Sequence, residues 1–375
     1  MDPSSCFSAS YREARARFLQ VAAERHARVD SRVLPGIVGL EGEQLAMDVV
    51  RLGPAHARRM LILTSGTHGV EGFCGSAVQQ VLLGDSTLHA LLQKRDVAIL
   101  FVHAINPYGF SYLSRTTEAN VDLNRNCVDF AAPLPMNPAY DEVHDLLIPA
   151  AWPPSPDNEA AIRHYVETRG EWAYQQAVTT GQYTHPHGMF FGGHEPSWST
   201  RTLRQLLEEY GDACESIGWI DFHTGLGPPG FGSKICVGTG GREELERARG
   251  WWGADVTSPL DGTSIAANVA GPVSEILRQT CPHAAKAAIA IEYGTVPLTD
   301  MLLMLRADVW VRHHPDAPEV LKASIRAQIR AAFLVEEDIW KGLIISQGQA
   351  AVWQAIDGLA GEARSGPACA DPFES

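Results

Sequence analysis

Residues 59–65 (RMLILTS) and 97–106 (VAILFVHAIN) are apolar almost without interruption. A strand with one face in water alternates apolar and polar side chains, whereas a strand covered on both faces reads as a continuous apolar run. Two such runs in one chain predict a sheet sandwiched between helices. LAMDVV (45–50), CESIGWIDFHTG (214–225), SKICVGTG (233–240) and KAAIAIEYGT (286–295) predict further strands. Helical patterns fall over 72–83, 157–178, 199–210, 299–312 and 317–343. This alternation of strands and helices predicts an α/β fold, a single domain over 1–360 with a central mixed twisted sheet flanked by helices. The Pro-rich stretch 147–158 is too short for a domain linker and reads as a surface crossing, and 361–375 reads as a C-terminal tail.

Composition narrows the partners. With 30 basic against 44 acidic residues the net charge is -14, which argues against a nucleic-acid or anionic-membrane partner, since both require a concentrated basic surface. An anionic substrate held by a few arginines in a cleft stays compatible with it. No apolar run approaches bilayer length, and the N-terminus lacks a basic stretch followed by an apolar one. Seven scattered cysteines with no CxxC pair indicate neither a disulfide framework nor a cysteine zinc site. A reduced, cytoplasmic protein is expected.

Polar residues gather where the apolar strands end, the position at which open α/β sheets collect functional groups. The turn GTHGVEG after 59–65 carries His68 and Glu71. The strand 214–225 delivers His223, and IAIEYG ends in Glu292. Each has an ordinary alternative: a turn histidine, a first-turn helix acid, a satisfied structural histidine, a carboxylate paired to an arginine. Together, two histidines and a glutamate form a recognised donor set for catalytic zinc, and a further carboxylate can shuttle a proton to a leaving amine. Asp221, two residues before His223, is either an acceptor that orients an imidazole or a strand-edge acid. After Asn106-Pro107 come Arg115, Asn124 and Arg125. Arginine's planar fork suits a carboxylate, and its charge suits an oxyanion.

The ordered set HxxE, NPYG…R…DLNRN, DFHTG and IEYG resembles the M14 metallocarboxypeptidase superfamily over about residues 58–300. In style it is similar to the DUF2817 branch, and DFHTG is also similar to the aspartoacylase and succinylglutamate desuccinylase branch. The resemblance implies a zinc carboxypeptidase-like fold with one zinc ion per chain, bound by His68, Glu71 and His223. It implies that Glu292 is general base and acid, that Asn124 and Arg125 hold a substrate carboxylate, and that Arg115 stabilises the oxyanion. The implied substrate is a small peptide or an N-acyl amino acid with a free carboxylate. Digestive members close over substrate with a tyrosine lying between the third zinc ligand and the glutamate; residues 224–291 here contain none, so their specificity cannot be copied across.

The stretch 181–204, with Tyr183, His185, His187, His194, Arg201 and Arg204, reads either as a lid or pocket wall or as a packed surface loop. A second metal on His185 and His187 is the less favoured reading. Cys74 in GFCGS reads as a buried helix residue rather than a nucleophile, and no GxSxG elbow is present. Peptidase and deacylase both stay open, as does a catalytically silent zinc- or ligand-binding protein on the same fold.

Overall fold

The computed structural model describes residues 3–264 and 269–362. Seven strands form one mixed sheet: β1 (Val29–Val38), β2 (Gln44–Leu52), β3 (Arg59–Ser65), β4 (Ala98–His103), β5 (Ser216–Pro229), β6 (Gly232–Ile235) and β7 (Ala285–Gly294). Their spatial order is β1-β2-β4-β3-β5-β7-β6. The middle four, β4, β3, β5 and β7, run parallel, and antiparallel strands close both margins. From β3 the chain steps outward to β4, then returns past β3 to β5. The order therefore reverses between β3 and β5, where a crevice opens beyond the carboxyl ends of parallel strands.

Alternate residues of each central strand feed two different cores, as the period of two requires. Leu61, Leu63, Ile220, Phe222, Ile289 and Ile291 pack beneath the helices Gly72–Gly84 and Asp338–Glu362. On the other face, Met60, Ile62, Trp219 and Ala288 meet Leu203, Leu206 and Leu207 of the helix Trp198–Gly211. A third core joins the helices Pro138–Leu147, Glu171–Thr179, Leu298–His313 and Glu319–Phe333 to Val70, Met189 and Phe190. Among the described residues, no helix is long and apolar enough to cross a membrane.

Several expected boundaries shift for local reasons. The pattern over 157–178 divides into Pro156–Arg169 and Glu171–Thr179, because Gly170 adopts φ 93° and breaks the helix. The pattern over 317–343 divides into Glu319–Phe333 and Asp338–Glu362. That last helix runs through Gly361 and Glu362, and the rest of the expected tail, 363–375, lies outside the described residues. Strand β5 extends to Pro229 instead of turning at Gly225, which leaves His223 inside a paired strand. Strand β1 has no counterpart in the sequence reading. It is an edge strand interrupted by Pro35, with an irregular register between Val33 and Val38, and so lacks a continuous apolar run.

Candidate metal centre and substrate cleft

The turn leaving β3 is fixed by close backbone packing. Gly66 takes φ 65°, and Gly69 lies so near the helix Pro107–Tyr112 that an added Cβ would sit 1.9 Å from the Gly109 carbonyl carbon. The Gly69 and Val70 amides donate to the carbonyls of Arg115 and Ser114, at 3.2 and 3.0 Å. The His68–Glu71 turn is thereby laced to the segment carrying Arg115. On the neighbouring strands, His223 of β5 and Glu292 of β7 are register partners in parallel pairing.

These elements bring both histidines to one carboxylate. His68 Nδ1 lies 2.9 Å from Glu71 Oε1, and His223 Nδ1 lies 2.9 Å from Glu71 Oε2. All three residues are at least 97% buried. One donor atom from each falls within 4.8 Å of the others, so the three can hold a metal ion. Each imidazole has its far nitrogen turned to an acid. His223 Nε2 is 2.7 Å from Asp221 Oδ2, and His68 Nε2 is 3.4 Å from Asp122 Oδ1. Asp221 also accepts hydrogen bonds from the Thr64 and Thr67 hydroxyls. Carboxylates behind the ring are the arrangement that fixes tautomer and raises basicity in metal-binding histidines.

Burial would push Glu71 up, but the facing His68 and His223 outweigh it and hold the carboxyl well below its usual range. Burial likewise opposes charge on His223, yet Asp221 and Glu71 raise its pKa well above the ordinary histidine value. Glu292 behaves differently. Burial dominates and raises its pKa despite nearby His223, with Glu71 adding to the rise. A carboxyl whose pKa is raised by desolvation beside a cleft is the usual condition of a proton shuttle.

A cleft of about 900 Å³, part of it open to solvent, lies over this cluster, and His68, Glu71, Arg115, Asn124, Arg125, His223 and Glu292 all line it. The seven residues singled out from the sequence are therefore brought to one place. Arg115 bonds Asp122 through Nε at 2.9 Å and reaches Glu71 Oε1 from Nη1 at 3.4 Å. Arg125 is tethered to the carbonyls of Thr180, Asn124 and Thr179. Three of its five donors meet these carbonyls, and the guanidinium also faces Asp122 at 4.0 Å. Burial and the neighbouring Arg115 depress its pKa against the pull of Asp122. Asn124 Nδ2 approaches His68 Nε2 at 3.4 Å, and its Oδ1 accepts from the Val273 amide at 2.9 Å.

Two residues were missed from the sequence. Asp122, fully buried, links His68, Arg115 and Arg125. Burial alone would raise its pKa, but Arg115, Arg125 and His68 hold it well below the carboxylate range. Its signal was an acid set between two arginines directly after a buried strand. The other is Phe190, whose ring lies 5.0 Å from the Arg115 guanidinium and 5.5 Å from that of Arg125. Phe190 is the one member of the 181–204 stretch that lines the cleft. Tyr183 donates from its hydroxyl to the Arg125 carbonyl at 2.5 Å. His185 pairs with Asp141 instead of a metal cluster. Arg201 and Arg204 bond Pro196 and Gln279, and Cys74 is fully buried.

A mixed sheet with a histidine–carboxylate cluster at its switch point thus defines the class: an α/β protein with a prospective metal cleft. The chain matches the family described as "Protein of unknown function (DUF2817)" over residues 7–347, and it belongs to that family. No curated protein sequence matches it significantly. Among solved structures it is similar to carboxypeptidase A from Helicoverpa armigera, with 14% identity, TM-score 0.46, and coverage of 88% of this chain and 74% of that one. Bovine thrombin-activatable fibrinolysis inhibitor in complex with tick carboxypeptidase inhibitor matches at 12% identity and TM-score 0.46, covering 91% and 98%. A metallo-carboxypeptidase from Pseudomonas aeruginosa in complex with (2-guanidinoethylmercapto)succinic acid matches at 18% identity and TM-score 0.40, covering 93% and 69%.

Proposed function

We propose that this protein is a zinc-dependent hydrolase that cleaves an amide next to a free carboxylate. The substrate is the C-terminal residue of a peptide or an N-acyl amino acid. The observation carrying this reading is the convergence of two histidines on Glu71, each histidine backed by its own acid, with Glu292 and two arginines in the same cleft. His68, Glu71 and His223 fit one zinc ion per chain, because a two-histidine, one-carboxylate set suits a catalytic site that keeps a position open. Bound there, zinc supplies Lewis acidity and eases the ionisation of water.

The rest of the chemistry belongs to the chain's own side chains. Arg125 offers its remaining donors, with Asn124 beside it, to the substrate carboxylate and so selects which amide is presented. Arg115, held by Asp122, aims positive charge at the oxygen that becomes anionic as the carbonyl is attacked. Glu292 removes a proton from the attacking water and returns it to the departing amine, a role suited to a carboxyl with a raised pKa. Asp122 and Asp221 keep His68 and His223 in the tautomer whose Nδ1 faces Glu71.

The test is product release, read by mass spectrometry, from a mixed set of free-carboxylate peptides and N-acyl amino acids with and without a zinc chelator. Chelator-sensitive release is expected, from peptides for a carboxypeptidase and from acyl amino acids for a deacylase. Zinc bound without release from either would leave a ligand-binding protein and overturn the proposal.

A further inference from the structure

The cleft has one wall whose chemistry the proposed reaction does not use. Leu298, Met301, Leu302 and Leu305 all line it, and their spacing of three, four and seven puts them on one face of the helix Leu298–His313. Met301, Leu302 and Leu305 are buried, and Leu298 is half-buried at the rim. Phe190 and Leu226 also line the cleft. Met301 reaches the strand carrying His223, since a Cβ added at Gly225 would lie 2.9 Å from its sulfur.

Among the described residues, the ionisable side chains lining the cleft are those already engaged at the candidate centre: His68, Glu71, Arg115, Arg125, His223 and Glu292. No acid lies on the helix wall to meet a basic substrate group. An acidic side chain would compete for the two arginines with the carboxylate that they are proposed to bind. A charged group laid along Leu298, Met301, Leu302 and Leu305 would lose hydration and gain no partner.

We infer that the group flanking the scissile amide is a large aliphatic or aromatic one, packed on the Leu298–Leu305 face, and that this face selects it over charged groups. This rests on the proposed carboxylate-and-zinc site and names its substrate class. Two succinates that differ in one substituent test it: one carrying a benzyl group, the other a guanidinoalkyl group. Binding to the zinc-loaded full chain is measured by calorimetry, independently of turnover. The benzyl compound should bind at least about tenfold tighter, and charge burial can widen the gap to roughly 100-fold. Leu298→Glu, at the half-buried rim, should shrink or reverse the ratio, and Leu302→Ala should weaken the benzyl compound selectively.

Equal or tighter binding of the guanidino compound by the unmodified protein would overturn the inference while leaving the site reading intact. An unchanged ratio in Leu298→Glu, with an unchanged thermal midpoint, would overturn it equally. Failure of both succinates to bind would bring down the carboxylate-and-zinc reading, and the inference with it.

Discussion

Two groups of histidines can be compared among the described residues, and only one of them meets the geometry of a metal cluster. His68 and His223 each direct Nδ1 to Glu71 and Nε2 to a separate aspartate. The second group collects His144, His185, His187 and His313 where the 181–204 stretch meets the helices Pro138–Leu147 and Leu298–His313. The rings of His144 and His185 stack at 4.0 Å, and those of His187 and His313 meet edge-on at 4.5 Å. Here only His185 bonds an acid, Asp141 at 2.7 Å, while His144 Nδ1 and His313 Nε2 are buried without partners. Among the described residues, only the first group satisfies the geometry of a metal cluster. Histidines close in sequence, as in THPHG, are less informative than histidines whose neighbouring elements supply acids on both sides of the ring.

The sharpest way to break that contrast is chemical. Glu292→Gln should keep the metal and lower turnover by about 10²–10⁴-fold; full activity of this variant in a chelator-sensitive assay would end the proposed proton shuttle. Arg115→Gln should reduce turnover by about 10²–10³-fold with a smaller change in KM, as loss of an oxyanion donor does. A loss confined to KM would instead make Arg115 a binding residue. Asp122→Asn should weaken metal affinity by about 10–100-fold, read by competition with a chromophoric chelator. The double variant His185→Ala/His187→Ala should leave that affinity unchanged, and a comparable loss there would erase the distinction between the two groups.

The smallest effect concerns acid stability. Burial, together with the neighbouring His187 and Arg312, lowers His313 to about 4, and burial with His185 beside it lowers His144. Asp145 and Asp141 pull His144 the other way, and Arg312 and His314 face His313. In the unfolded chain these rings take up protons near the ordinary value of about 6.5. Stability from keeping His313 neutral is therefore complete above about 6.5 and is lost as pH falls toward 4. His313→Gln should flatten the fall in thermal midpoint over that window, and an unaltered slope would remove His313 as its source.

What the sequence revealed follows from physical redundancy. Strands β3, β4 and the first ten residues of β5 are buried on both faces and β7 is largely apolar, so their residues announce them, and the histidines and acids at their ends stand out against apolar neighbours. Asp122 was harder to read, because an acid set between two arginines was its one local signal and its contact with His68 is made only by folding. Phe190 and the Leu298–Leu305 face were equally obscure. An aromatic or leucine lining a cleft has the same sequence signature as one filling a core, and Met301, Leu302 and Leu305 do both. Strand β1 escaped because an edge strand with Pro35 and exposed positions carries neither alternation nor a continuous apolar run.

In the proposed site, one metal ion per chain is held by His68, Glu71 and His223. Elemental analysis by inductively coupled plasma mass spectrometry on the purified protein, beside His223→Ala and His185→Ala/His187→Ala, addresses it most directly. One zinc per chain is expected in the unmodified protein and in the double variant, with loss in His223→Ala. Zinc retained by a folded His223→Ala, or lost from the double variant, would contradict the account.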